Sequence, residues 1–362
     1  MIYFDQAATS LQKPPSVYTA VEHAMRTCAG MGRSGHEAAI RASEIAFACR
    51  REAAALFDTQ PEQVIFTFNA THALNMAIGT LVGKEDRVVL SGFEHNAVVR
   101  PLHHLGAQLQ IAGRRVFDPE DTVDAFEKAI SSDTKAVVCT HVSNVFGYVL
   151  PIEQIAALCR EREVPLIIDG SQSAGVLPLS LRKLGAAFLA MPGHKGLYGP
   201  QGTGLLLCNQ LPKPLLCGGT GSRSQEPWMP DDLPDVGEAG THNLPGIAGL
   251  LEGIRYVRRR GIDSIRIHEQ ALLRELQPFS RFYAGGDLQT GVLSIETKDL
   301  DCEIAASMLS QAGFAVRAGL HCAPLAHESA GTLRTGTIRV SLSDFNTKEE
   351  VHGLMKELDT LK

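Results

Sequence analysis

The chain has 362 residues, 44% of them hydrophobic and 20% charged, with 34 Lys and Arg against 40 Asp and Glu. This is the composition of a globular protein with a large core, not of a disordered or fibrous one. The net charge of −6 and the absence of a basic stripe argue against nucleic acid or an anionic membrane as the main partner.

The opening MIYFDQAATS shows no charged stretch running into an apolar one, so no secretory signal is expected. Apolar runs stay well below the ~20 residues of a membrane-spanning helix, and a cytoplasmic location is expected. From residue 61 to 210, apolar runs alternate with helical patterns. Strands are predicted at 64–68, 88–91, 136–140, 166–169, 187–190 and 204–207, with helices at 71–82, 96–105 and 152–163 among them. Continuous apolar strands separated by helices imply a mostly parallel sheet covered on both faces. Pro and Gly then cluster through 212–245, a stretch too long for an ordinary connection. Helices are predicted at 246–260, 263–277 and 302–312, strands at 291–297, 314–318 and 337–341, and a closing helix from 347. That last run reads as a second, smaller α/β domain.

Parallel sheets hold their ligands beyond the carboxyl ends of the strands, so the polar residues there come first. One strand delivers Asp169, with Gln172 close behind, and the next delivers His194 and Lys195. A lysine for a Schiff base and a carboxylate to keep a pyridine nitrogen protonated are what pyridoxal phosphate chemistry requires. Taken alone, each residue fits a turn carboxylate or a solvated lysine better. Ala70 and Thr71 open a helix after a strand, an end suited to phosphate, although Thr71 also reads as an ordinary N-cap. His95 and Asn144 follow two further strands as a candidate proton carrier and a neutral hydrogen-bonding group.

The eight cysteines show no CxxC pair and no zinc spacing. Cys139, Cys159 and Cys208 lie in apolar runs and read as core, whereas Cys322 lies on a polar loop beside His321, a setting that favours a nucleophile. Arg339 lies inside an apolar strand. Its planar fork suits a substrate carboxylate, with an internal salt bridge as the alternative.

In their order along the chain, Tyr3–Thr9, Glu94-His95, Thr140–Asn144, Asp169–Gln172, Gly193-His194-Lys195, Glu238–Thr241 and Arg317–Cys322 resemble the class V pyridoxal-phosphate enzymes. The resemblance is specifically to the cysteine desulfurase and selenocysteine lyase family. It implies a fold-type I α/β architecture: a large cofactor domain at 15–240, and a small domain from 1–14 and 241–362 that carries the nucleophile loop. It further implies Lys195 as the Schiff-base lysine, Asp169 as the pyridinium partner and His95 as the ring-stacking acid/base. Gln172 and Asn144 would contact the phenolic oxygen, and Ala70, Thr71 and His194 the phosphate. Thr241 would reach the phosphate of a second subunit in a homodimer. Arg339 and Asn144 would bind the substrate carboxylate, and Cys322 would accept sulfur from L-cysteine, with a sulfur-acceptor protein as a further partner; were L-selenocysteine the substrate, Cys322 would discriminate and not accept. Pro192, Asn96 and Leu320 depart from the family pattern, and Gly196 is an insertion after the lysine. The competing expectations are a selenocysteine lyase, another class V lyase or aminotransferase, and a non-catalytic scaffold.

Overall fold

The computed structural model describes residues 1–32, 34–297 and 299–361. A short strand β1 (Ile2–Tyr3) precedes helices α1 (Pro15–Thr27) and α2 (Glu37–Phe57). Then come β2 (Val64–Thr67), β3 (Arg87–Ser91), β4 (Gln108–Ala112), β5 (Thr134–Thr140), β6 (Leu166–Asp169), β7 (Phe188–Pro192) and β8 (Gly204–Cys208). They are joined by α3 (Ala70–Leu81), α4 (Asn96–Leu105), α5 (Pro119–Ala129), α6 (Ile152–Glu161) and α7 (Leu181–Leu184). These seven strands form one sheet in the order β2-β8-β7-β6-β5-β3-β4. Only β8 runs antiparallel to its neighbours, so the sheet is mostly parallel, as expected.

Strands β2, β6, β7 and β8 are buried at every residue, which a sheet covered on both faces requires. Their side chains alternate between two cores. Ile168, Leu189 and Leu205 pack with Phe57 of α2 and Ile155 of α6. Ile167, Phe188 and Leu206 pack with Leu74 of α3 and Leu102 of α4. Helices α1 and α2 and the β4–α5 unit go beyond the sequence-based expectation. In α2 the buried stripe is Ala39, Ala42, Ala46, Cys49 and Ala53, residues too small to give a strong amphipathic pattern.

The second part holds α8 (Leu244–Arg260), α9 (Ile262–Glu275), β9 (Val292–Ile295), α10 (Cys302–Gln311), β10 (Phe314–Ala315), β11 (Arg317–Gly319), α11 (Pro324–Ala330), β12 (Thr337–Ser341) and α12 (Lys348–Thr360). Strands β11-β12-β9 form an antiparallel sheet over a core that includes Leu273, Leu293, Leu309, Ile338 and Leu354. Phe4 joins this core because β1 pairs with β10. The single strand expected at 314–318 is therefore two, since β10 serves β1 while β11 serves β12. Among the described residues no helix is long and apolar enough to cross a membrane.

The Pro- and Gly-rich stretch is pinned at its far end by Glu238. Its Oε1 accepts from the Phe66 N–H at 2.7 Å, and its Oε2 lies 2.6 Å from the Arg50 guanidinium. Arg50 also donates to the Val64 carbonyl and covers the Phe66 ring at 4.3 Å. Both charges are buried, so removing one strands the other in a low-dielectric setting. Replacing Glu238 with Ala is expected to destabilise the fold by about 3–5 kcal/mol, measured by denaturant unfolding. A loss below about 1 kcal/mol, the size of an exposed pair, would show that the pair does not anchor this segment.

Candidate active site

Because β2, β3, β5, β6 and β7 run in parallel, their last residues reach one edge of the sheet. There the chain leaves through Ala70-Thr71, His95, Asn144, Asp169 and His194-Lys195, all lining one cavity of about 190 Å³. Gln172 lines it from the large sheet's side, and Arg317, His321 and Arg339 line it from the small sheet's side.

Each group has a definite partner. The N-cap of α3 is Asn69, whose Oδ1 accepts from the His72 N–H at 2.9 Å. Thr71 is therefore not the cap but lies in the first helical turn, where backbone N–H groups lack intrahelical acceptors. His95 caps α4, and its Nδ1 accepts from the Ala97 N–H at 3.0 Å. That bond puts the proton of the neutral ring on Nε2. The Asp169 carboxylate, 3% exposed, accepts the Ser171 N–H through Oδ1 at 2.9 Å. Gln172 commits one Nε2 hydrogen to the Ala7 carbonyl at 3.0 Å. His194 Nδ1 lies 3.0 Å from Thr9 Oγ1. Asn144 donates through Nδ2 to the His321 carbonyl at 2.8 Å.

Arg339 is 1% exposed. One terminal nitrogen lies 2.6 Å from Asp5 Oδ1, the other donates to the Asn144 carbonyl at 3.0 Å, and Nε has no partner. The salt bridge that was the alternative for Arg339 exists, and the arginine lines the cavity as well. Arg317 stands directly across from Arg339 in the β11–β12 register. Like charges in that position repel. With Lys195 they put three cations around a cavity whose only carboxylate among the described residues is Asp169. Such a lining fits an anionic ligand, and Asp5 and Asn144 leave Arg339 N–H donors unused, the buried Nε–H among them.

Burial, with the Arg339 charge adding to it, lowers Lys195 to about 8, which leaves part of the amine unprotonated near neutrality. Gly196 fits tightly behind it, because its carbonyl oxygen lies 2.2 Å from where a Cβ on Gly175 would stand. At φ +85°, Gly175 has a backbone that side chains resist. Glu94 is fully buried, accepting from Ser91 Oγ at 2.5 Å and the Thr140 N–H at 2.7 Å. It ties the ends of β3 and β5 together beside His95.

Two expected site residues lie apart. Cys322 lines an outer groove of about 380 Å³ that shares Thr71 and His95 with the cavity. Its Sγ lies 3.8 Å from an Arg317 nitrogen. Thr241 lines a separate cavity of about 500 Å³ near Arg50 and Glu238. In the sequence His321 stood out only as the neighbour of Cys322, and Arg317 and Asp5 only within longer motif runs. Arg317 becomes conspicuous only when strand register sets it against Arg339, and Asp5 only when its ion pair is seen.

A family model for aminotransferase class-V matches residues 2–354. A protein named "Probable cysteine desulfurase" from Methanothermobacter thermautotrophicus is 32% identical, the match covering 99% of this chain and 94% of the relative. Another of that name from Pyrococcus abyssi is 31% identical over 100% of this chain and 94% of its own length. Among solved structures, the apo cysteine desulfurase from Thermococcus onnurineus NA1 superposes with a TM-score of 0.89 at 28% identity, covering 99% of this chain and 94% of that one.

Burial holds His95, His141, His194 and His327 each at about 4, and raises Glu94 and Glu269 to about 8. Between about pH 6.5 and 4 the unfolded histidines take up protons that the folded ones refuse, so acidification costs stability. The two carboxyls act in the opposite sense: their contribution is lost as pH rises from about 4.5 towards 8. The four histidines outweigh the two carboxyls in the acid range. Thermal melts are expected to show a lower melting temperature at pH 5 than at pH 7. The reverse order would contradict neutral buried histidines.

Proposed function

This chain belongs to the class-V aminotransferase family, and on that premise we propose that it is a pyridoxal-phosphate-dependent cysteine desulfurase. The observation that carries the reading is one cavity lined by a lysine of lowered pKa, a buried carboxylate, a histidine of fixed tautomer and two facing arginines, with a cysteine at its rim. We take residues 15–240 as the cofactor-binding part, and 1–14 with 241–362 as the part that carries Cys322. Helix α8 falls in the second part by these bounds, yet its Ile247 and Leu250 share a core with the large sheet.

Bound pyridoxal phosphate supplies an electron sink that weakens the Cα–H bond of an amino acid joined to it. Lys195 is the amine that holds it, and the proton carrier at the substrate α-carbon. Asp169 would balance the charge of a protonated ring nitrogen. His95 would offer its Nε2 proton to the ring. Gln172 and Asn144 would hydrogen-bond the phenolic oxygen. The free N–H groups of Ala70 and Thr71 at the start of α3, with His194, would receive the phosphate.

Arg339 takes the substrate carboxylate on N–H donors that Asp5 and Asn144 leave unused, with Asn144 beside it and Arg317 adding charge. Cys322 is the sulfur acceptor. In the net step L-cysteine and the Cys322 thiol give L-alanine and a Cys322 persulfide: the substrate's Cβ–S bond breaks, an S–S bond forms, and the thiol proton is carried over to alanine. The Arg317 guanidinium lies 3.8 Å from that sulfur, on the side where the cavity meets the outer groove.

A homodimer agrees with the apolar side chains of Met25 and Phe47, 70% and 54% exposed, beside the cavity that holds Thr241. In that assembly Thr241 is assigned to the partner's phosphate. A free thiol at Cys322 agrees with a reducing cytoplasm, and the exposed thiol is open to an acceptor protein.

The purified protein is expected to bind pyridoxal phosphate, show its visible absorbance, and release alanine from L-cysteine. Lys195→Ala is expected to lose that absorbance and to lower alanine release at least about 10²–10⁴-fold, the scale of a proton-transfer group. Cys322→Ser is expected to keep the absorbance and lose alanine release by a similar factor. Undiminished alanine release in Cys322→Ser would rule out Cys322 as acceptor. Faster alanine release from L-selenocysteine, unaffected by that substitution, would identify a selenocysteine lyase.

A further inference from the structure

The turn that carries Cys322 is held in a conformation it would not adopt alone. His321 and Cys322 are consecutive non-glycine residues with φ of 51° and 57°, the left-handed region that side chains disfavour. Such backbone persists only where its surroundings over-determine it, and it collects at functional positions.

The surroundings here are specific. The Ala323 N–H closes the turn on the Leu320 carbonyl at 2.9 Å. The His321 ring is buried against His327 with centroids 5.7 Å apart, and His327 Nδ1 lies 2.8 Å from Thr332 Oγ1. Two further bonds come from the other side of the cavity. Asn144 Nδ2 donates to the His321 carbonyl at 2.8 Å, and the Asn96 N–H donates to the Cys322 carbonyl at 2.8 Å. These donors grip the carbonyls of the two strained residues themselves. Both sit just beyond strand ends of the large sheet, Asn144 after β5 and Asn96 at the first position of α4, next to His95.

Asn144 also receives the Arg339 guanidinium on its own carbonyl at 3.0 Å. One residue thus links the arginine of the cavity to the turn that carries the thiol. Its side-chain amide keeps a second N–H and its oxygen for the cavity it lines.

We propose that Asn144 and the Asn96 backbone N–H are positioning groups for the nucleophile, tethering the left-handed His321–Cys322 turn to the strand ends that hold the cofactor. The tethers keep Cys322 Sγ beside Arg317 and at the boundary between the inner cavity and the outer groove. The proposal rests on the reading of Cys322 as the sulfur acceptor, and it adds a cause for where that thiol stands.

The test uses the holoenzyme and two variants that remove the tethers independently. Asn144→Ala removes the side-chain amide. Asn96→Pro removes the N–H at the first position of a helix, where proline is tolerated, after a residue whose backbone is already extended. Neither Arg317 nor Arg339 is changed.

Alkylation of Cys322 by iodoacetamide at pH 7, followed by peptide mass spectrometry, reads the thiol without any turnover. Both variants are expected to change its rate by about tenfold, and in the same direction, as the released turn moves Sγ from its fixed place at the cavity's edge. In Asn96→Pro, visible cofactor absorbance and KM for L-cysteine are expected to stay at wild-type values while kcat for alanine release falls about tenfold. Wild-type alkylation rates in both variants, or in Asn96→Pro alone, would overturn the proposal. Absence of alanine release from the wild-type enzyme would instead count against the desulfurase reading and leave the alkylation result standing.

Discussion

A buried guanidinium organises this molecule. Arg339 sits in the middle of β12 with 1% of its surface exposed, a position a charge occupies only when partners replace its water. It finds them in Asp5, 334 positions away along the chain, and in the carbonyl of Asn144, 195 positions away. The N-terminal segment, the loop after β5 and the small sheet are thereby bound to one cation. Because β11 pairs with β12, the same contact sets Arg317 opposite Arg339 and brings Cys322 to the cavity's rim.

The charge states follow from this burial. The cavity keeps its cations and loses charge elsewhere: His95 and His194 are held neutral, and Glu94 is pushed towards its protonated form. A neutral Glu94 bridges two strand ends without adding a second carboxylate beside Asp169. What remains is a positive chamber with a single lining carboxylate among the described residues, and such a chamber is preorganised for a ligand with more than one negative group.

Much of this was legible in advance, for a physical reason. Parallel strands present their carboxyl ends on one edge, so Asp169, Lys195, His95, Asn144 and Thr71 could be picked out as the first polar residues after apolar runs. Arg317 and Asp5 gave no such signal. Their importance depends on strand register and on an ion pair across nearly the whole chain, which local patterns do not encode. Helix α2 escaped notice because it buries alanines in place of large aliphatic side chains. The run 314–318 read as one strand because periodicity does not show a change of partner at Val316.

The contact between Gly175 and Gly196 ties the turn after β6 to the backbone that bears the lysine. The Gly196 carbonyl occupies the space that any side chain at 175 would claim, and a Cβ on Gly196 would in turn meet the Ala174 carbonyl. Even a methyl group at either position would displace the backbone next to Lys195. Two residues without any functional group thus help to set where the amine stands.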